Sequence, residues 1–204
     1  MHIAIIGNIG AGKTTLTQML GDYFKWDVMY EAVEGNPYLA DFYQDMERWA
    51  FNLQIFFLNN RFAQVQKIRE TTYSTIIQDR TIYEDAFIFA RNLRESGVMT
   101  ERDYQTYLLL FESIIRTVSQ PDLLIYLKAD IPKLVSQIKK RGRDFEADIS
   151  TDYLVALNHY YEDFVEHYDH GKIIEIDVNQ MDFASNPDDF NFIVSKLNKE
   201  LFYI

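Results

Sequence analysis

Of the 204 residues, 48% are apolar and none is cysteine, and the formal charge is −11. That length favours a single domain spanning 1–204 with a sizeable core, and a charge of this sign without any basic block argues against a nucleic-acid partner. The absence of cysteine excludes disulfides and thiolate metal sites and suits a reducing cytoplasm.

No apolar run approaches the length of a membrane span, so no membrane partner is expected. The chain opens on a strand-like run with no cationic leader, so no cleaved signal is expected either. The first element, residues 2–7, contains Ile3-Ala4-Ile5-Ile6, which reads as a buried strand. It runs into Gly7-Asn8-Ile9-Gly10-Ala11-Gly12-Lys13-Thr14, a complete P-loop spacing, and then into a helical stretch from Thr15 to Leu20. Strand, glycine loop and helix in that order give the pattern its physical meaning. The glycines let backbone N–H groups turn toward a phosphate, and the helix start adds the positive end of its dipole. Lys13 is expected to reach the terminal phosphates and the Thr14 hydroxyl to hold Mg²⁺.

Further strand-like runs at 27–32, 74–79, 122–128 and 172–177 alternate with helical patterns. This order predicts an α/β fold, a parallel sheet with helices on both faces. Ligands in such sheets bind at the carboxyl ends of the strands. The first strand ends at Gly7, the second is expected to end at Glu31 and the third at Asp79, so loop and carboxylates should converge on one edge.

Residues 46–69 read as one long helix without Gly or Pro. Two apolar stripes, Trp49, Leu53, Phe56 and Phe51, Ile55, Leu58, Phe62, Val65, flank Gln54 and Arg61. The polar pair is separated by nearly two helical turns, about 10 Å along the axis, so both side chains point the same way. Such a line fits a buried ligand site. It equally fits a solvated strip, or an arginine paired to a nearby carboxylate.

Asp79-Arg80-Thr81-Ile82-Tyr83-Glu84-Asp85 follows the third strand, and Asp85 falls near the start of a helix through Leu93. Asp85 is a candidate for ligand contact, or for helix capping. The segment Lys139-Lys140-Arg141-Gly142-Arg143-Asp144-Phe145-Glu146-Ala147-Asp148 follows a helical stretch. Its arginines suit the spread charge of a transferred phosphoryl group, or simply a solvated helix end.

Taken in order, these motifs resemble the deoxyribonucleoside kinase family of deoxycytidine, deoxyguanosine and bacterial deoxyadenosine kinases. The resemblance is carried by the P-loop, Tyr30-Glu31-Ala32-Val33, Tyr43 with Glu47-Arg48-Trp49, Gln54 through Arg61, Asp79-Arg80-Thr81 with Asp85, Arg141-Gly142-Arg143 with Glu146, and Asp177-Val178-Asn179 with Asp182-Phe183. It implies a five-stranded parallel sheet, ATP and Mg²⁺ as donor and metal, and a helix-packed homodimer. It also implies that Gln54 bonds the nucleobase edge, that Arg61 and Asp85 complete base recognition, and that Phe89 joins the acceptor pocket. Tyr43 and Glu146 would hold the sugar 3′-hydroxyl. Residues 7–15, including Thr15, would bind ATP, Arg141 and Arg143 would sit in a lid at about 141–149, and Met181, Asp182 and Phe183 would lie against the ATP adenine. Lys13, Arg80, Arg141 and Arg143 are the expected catalytic cations.

Two carboxylates compete for the general base, Asp79 and Glu31, and Asp79 is the first choice; the other would orient the hydroxyl or a metal-bound water. The chain departs from the family pattern at Ala32, where many members have Pro, and at Asp79, where vertebrate members have Glu. Leu53 and Phe57 stand where members vary and are expected to shape the base pocket. The expected activity is ATP-dependent 5′-phosphorylation of a deoxyribonucleoside, a purine and first of all deoxyadenosine. The alternatives are a deoxycytidine-preferring kinase, a nucleoside monophosphate kinase of the thymidylate type, and a switch-type nucleotide-binding module. The last is disfavoured because Asn198-Lys199-Glu200-Leu201 does not complete a guanine-selective Asn-Lys-x-Asp.

Overall fold

The structure is a computed structural model that describes residues 1–31, 35–71, 73–146, 149–169 and 171–202. Ala32 and Val33 of the second motif, and Ala147 and Asp148 at the end of the lid segment, lie outside the described residues.

Five parallel strands, β1 (His2–Gly7), β2 (Asp27–Met29), β3 (Ile76–Asp79), β4 (Leu123–Lys128) and β5 (Lys172–Asp177), form one sheet in the order β2-β3-β1-β4-β5. β1 is central, pairing Ile3 with Ile77 on one side and with Leu123 on the other. Its run Ile3–Ile6 is fully buried, as expected for a strand covered on both faces. β5 lies at the edge, and its exposure alternates along the strand. Because the chain builds β2 and β3 on one side of β1 and then crosses to β4 and β5 on the other, the loop after β1 sits at the topological switch point.

The helices are α1 (Lys13–Phe24), α2 (Leu39–Gln44), α3 (Met46–Glu70), α4 (Ile82–Glu84), α5 (Arg91–Glu95), α6 (Glu101–Ile115), α7 (Ile131–Arg141), α8 (Thr151–His167) and α9 (Pro187–Phe202). The largest core cluster joins β1 and β4 to α1, α7, α8 and α9 through Leu16, Leu134, Leu157 and Ile193. A second joins Leu58 of α3 to Tyr107 and Phe111 of α6. A third, with Leu39, Phe42, Leu53 and Leu93, lies under α2 and α3.

β2 ends at Met29, short of the expected residue 32. Beyond Met29, the Tyr30 carbonyl accepts from the Gln64 side chain of α3, which leads the chain away from the sheet. α3 matches its expected span, but its most buried line is not either apolar stripe. That line is Ala50, Leu53, Gln54, Leu58, Arg61 and Val65, with the polar pair inside it. Trp49, Phe51, Ile55, Phe56 and Phe62 are half-buried flanks.

Between α4 and α5 the helix widens into a π-helical turn, Asp85–Ala90. Such turns are uncommon and often mark functional sites. The helix start is capped by Thr81 and Glu84 in a reciprocal capping box, so Asp85 is not the cap.

Candidate active site

The carboxyl ends of β1, β2 and β3 open into a cleft of about 910 Å³. Gly10, Gly12, Lys13, Thr14 and Thr15 line one end, and Tyr43, Leu53, Gln54, Phe57, Asp85 and Phe89 line the other. Glu31, Asp79, Arg80, Arg141, Arg143 and Glu146 lie on the same wall system, so the expected donor and acceptor groups share one space.

The P-loop takes the conformation its glycines allow. Gly12 has φ 94°, and a Cβ built on it would meet the Phe183 ring at 2.8 Å. Lys13 is buried and donates from Nζ to the Gly7 and Asn8 carbonyls at 2.7 and 3.0 Å. Burial, with Arg80 nearby, lowers its ammonium to about 8. The Asn8 side chain turns away from the cleft: Nδ2 donates to the Leu154 carbonyl and to Asn158 Oδ1 of α8, and Oδ1 accepts from Ile9 N. Its expected place among the ATP contacts therefore reduces to its backbone. Ile9 lines the main cleft, whereas Ala11 lines a small adjoining pocket of about 60 Å³ with Met181, Asp182 and Phe183. Lys133 Nζ holds the Met181 carbonyl at 2.7 Å, fixing that segment beside the loop.

Thr14 Oγ1 donates to Asp79 Oδ2 at 2.5 Å, and Asp79 Oδ1 is buried with no hydrogen-bond partner. One hydroxyl, one carboxylate and a free oxygen suit Mg²⁺, which takes few protein ligands and completes its shell with phosphates and water. Among the described residues no group of three or more His, Cys, Asp or Glu is placed to hold a metal ion by itself.

Glu31 sits between two arginines. Its Oε1 lies 3.1 Å from Arg61 Nη2 and 3.3 Å from Arg80 Nη1. Burial works to raise its carboxyl, but Arg80, Arg61 and Lys13 outweigh burial and hold it below the usual carboxylate range. Arg80 has φ 69°, a left-handed conformation uncommon for a residue with a side chain. Its guanidinium lies 4.3 Å from the centre of the Phe89 ring, and burial of its charge is offset first by Glu31.

Gln54 and Asp85 form the polar floor at the far end. Gln54 Oε1 and Asp85 Oδ2 are buried without hydrogen-bond partners. Asp85 Oδ2 lies 3.4 Å from Arg61 Nε, yet burial pushes its carboxyl up to about 7 against the pull of that cation. Arg61 itself does not line the cleft. It is 2% exposed and lies behind the wall, tying Glu31, Asp85 and the Asp79 carbonyl together. Of the readings open for Arg61, pairing to carboxylates is the one observed, and the solvated strip is ruled out by burial.

The segment expected to form the lid starts at Arg141, the last residue of α7, and passes through Gly142 at φ 65° and Arg143 into a 3₁₀ turn, Asp144–Glu146. Glu146 accepts from Arg141 Nη2 at 2.5 Å and from Arg143 Nη1 at 3.4 Å. Phe145 stacks on Tyr43 at 6.0 Å and 20°, which carries the lid to the acceptor end. Glu146 thus meets the lid arginines directly, a pairing that the motif did not reveal.

Several groups escaped the motifs. Glu84 is fully buried, accepting from Tyr161 OH at 2.7 Å, Thr81 N at 2.7 Å and Gly7 N at 3.4 Å. It links the loop's first residue to the Arg80 turn and to α8. The Thr81-x-x-Glu84 spacing was a readable capping signal. Tyr153 and Phe145 also line the cleft, with no local pattern to announce them.

Comparison with known proteins agrees with this geometry. The sequence profile described as deoxynucleoside kinase matches residues 3–202. A deoxyadenosine kinase of Dictyostelium discoideum is 46% identical over 165 residues, 81% of this chain, which spans 66% of that protein's length. The deoxyadenosine/deoxycytidine kinase of Bacillus subtilis is 36% identical over 197 residues, 96% of this chain and 90% of that one. A solved deoxyadenosine kinase from M. mycoides, with dCMP and dCDP bound, superposes with a TM-score of 0.87 at 32% identity, covering 98% of this chain and 100% of that one. Its dATP-bound form gives 0.85. From loop, cleft and matched length together, the chain belongs to the deoxynucleoside kinase family, five parallel strands and a P-loop included.

Proposed function

We propose that this enzyme transfers the γ-phosphoryl group of ATP to the 5′-hydroxyl of a deoxyribonucleoside, deoxyadenosine before deoxycytidine and deoxyguanosine. The observation that carries the reading is one continuous cleft with the P-loop at one end and, at the other, Gln54 Oε1 without a hydrogen-bond partner and Asp85, whose Oδ2 is ion-paired with Arg61 Nε at 3.4 Å. A base bearing an exocyclic amino group donates to such acceptors. Adenine also offers a ring nitrogen to the Gln54 amide, the bidentate pairing that suits this side chain. Thymine presents a carbonyl where the amino group would be, and so leaves Gln54 Oε1 unsatisfied.

In this reading Glu31, kept ionised by its arginines, takes the proton of the 5′-hydroxyl. The oxygen forms its bond to the γ-phosphorus as the bond to the β-phosphate oxygen breaks, releasing ADP. Lys13, Arg80, Arg141 and Arg143 face the charge that develops on the transferred group. Thr14 and Asp79 would hold Mg²⁺, which when bound offsets phosphate charge. The geometry thus favours Glu31 over Asp79 as base, since Asp79 is engaged by Thr14 on the donor side. Tyr43 and Glu146 would take the sugar hydroxyl, and residues 141–149 would act as the lid of a single catalytic domain. A cytoplasmic location fits the cysteine-free sequence, and a homodimer is what membership of the family implies; no helix among the described residues is long and apolar enough to cross a membrane.

The test is a coupled assay offering each deoxynucleoside and its monophosphate as acceptors. Turnover of nucleosides is expected; turnover of monophosphates alone contradicts the reading.

A further inference from the structure

Three hydrogen bonds meet at an amide that no motif includes. Gln64 lies on α3, three residues beyond Arg61, and it does not line the cleft. Its Oε1 accepts from Arg61 Nη1 at 3.2 Å and from Gln78 Nε2 of β3 at 2.8 Å. Its Nε2 donates to the Tyr30 carbonyl at 2.6 Å.

The orientations in this chain are forced. Arginine only donates, so the Gln64 oxygen must face Arg61, and the Gln64 NH₂ must face Tyr30. Gln78 must donate to that same oxygen, so its own Oε1 faces His2. His2 Nε2, 2.9 Å from Gln78 Oε1, must then carry the proton. One polar chain runs from β1 through β3 and α3 to the peptide that precedes Glu31.

That peptide has no place in the sheet, because β2 ends at Met29. Its carbonyl carbon is bonded to the Glu31 nitrogen, so Gln64 grips the backbone of Glu31 from one side. Through Arg61, whose Nη2 reaches Glu31 Oε1 at 3.1 Å, it grips the carboxylate from the other.

We propose that Gln64 is a positioning residue for phosphoryl transfer, locking the Tyr30–Glu31 peptide and the Arg61 guanidinium together so that the Glu31 carboxylate keeps its aim at the acceptor hydroxyl. The proposal rests on Glu31 being the base. Four cations face Glu31: Lys13 from α1, Arg61 from α3, Arg80 after β3, and Arg143 from the lid. Asp85 from the π-turn and the Tyr43 phenol from α2 also act on it. Freeing Arg61 weakens one of the four cations, so the acidic limb of the rate profile should move to higher pH.

The experiment compares wild type, Gln64→Leu, Gln64→Glu and Glu31→Gln as full-length enzymes, with deoxyadenosine and ATP, from pH 4 to 9. Urea unfolding gives the folded fraction of each. For Gln64→Leu the expected kcat per folded enzyme is down about tenfold or more, since a misplacement of 1 Å can cost about a hundredfold. Its KM for ATP should stay within about twofold, and its acidic limb should rise. Gln64→Glu keeps both acceptor bonds but loses the donor to Tyr30 and sets an anion beside Arg61, so its kcat should fall and its acidic limb should rise as well.

A Gln64→Leu enzyme with wild-type kcat and acidic limb, whatever its stability, overturns the proposal. Should that variant not fold, Gln64→Glu decides alone: a lowered kcat supports the proposal, and an unchanged one overturns it. Failure of the underlying reading looks different. It would appear as a wild type that turns over no deoxynucleoside, or as an acidic limb that survives in Glu31→Gln.

Discussion

Thr14 and Asp79, 65 residues apart, meet through a 2.5 Å hydrogen bond from hydroxyl to carboxylate. The bond joins the start of α1 to the end of β3, next to β1 in the sheet, and sets side by side the hydroxyl and the acid proposed to hold Mg²⁺. Asp79→Asn keeps the shape but removes the charge. Its kcat should fall far more than its KM for the nucleoside rises, and the Mg²⁺ concentration for half-maximal rate should increase. A Mg²⁺ titration with normal kcat would sink this assignment.

Glu31→Gln should lose about 10²- to 10⁴-fold in kcat, the usual range for removing a general base. The KM for ATP should change little, because Glu31 does not belong to the loop. A kcat within threefold of wild type, set against that order of loss, would move the base elsewhere.

The pH profile of kcat/KM follows from two groups. Glu31 is active ionised and is held below the ordinary carboxylate value of about 4.3, so the rising limb should lie on the acidic side of that value. Lys13 is active protonated and is lowered to about 8, so free-enzyme kcat/KM for ATP should fall as pH rises through about 8. Arginine remains charged there, so Lys13→Arg should flatten the alkaline limb even at reduced rate. An alkaline limb of unchanged position in that variant would contradict the assignment.

Glu84→Leu leaves the Tyr161 hydroxyl and the Thr81 N–H facing an apolar side chain and deprives buried Arg80 of an anion 3.9 Å away. The cost should be about 3–5 kcal/mol in urea unfolding, as for breaking a buried charged pair. A change below 1 kcal/mol, far under that order, would show that the network is dispensable.

Most of the fold was legible because its signals are local. Strand β1 and the loop after it declare themselves in Ile3–Thr14, and the helix from Met46 runs as its lack of Gly and Pro foretold. The site was legible where a motif sat at or just past a strand end: Asp79 closes β3, Arg80 follows it, and Glu31 comes shortly after β2 stops at Met29. It was not legible where contacts join distant elements. Gln64 is an ordinary helix residue until it meets Tyr30 and Gln78, and Glu84 an ordinary cap until it meets Tyr161. The π-turn at Asp85–Ala90 has no sequence signal, yet it sets Asp85 and Phe89 on the same cleft. Arg61 shows the limit from the other direction: spacing aimed it with Gln54, and depth set it behind the wall, where it serves the carboxylates.

The most direct measurement is the ranking of kcat/KM for the four deoxynucleosides with ATP and Mg²⁺, with the product identified as the 5′-monophosphate. The cleft predicts deoxyadenosine first, deoxycytidine and deoxyguanosine behind it, and thymidine last. Turnover of thymidine alone would contradict it.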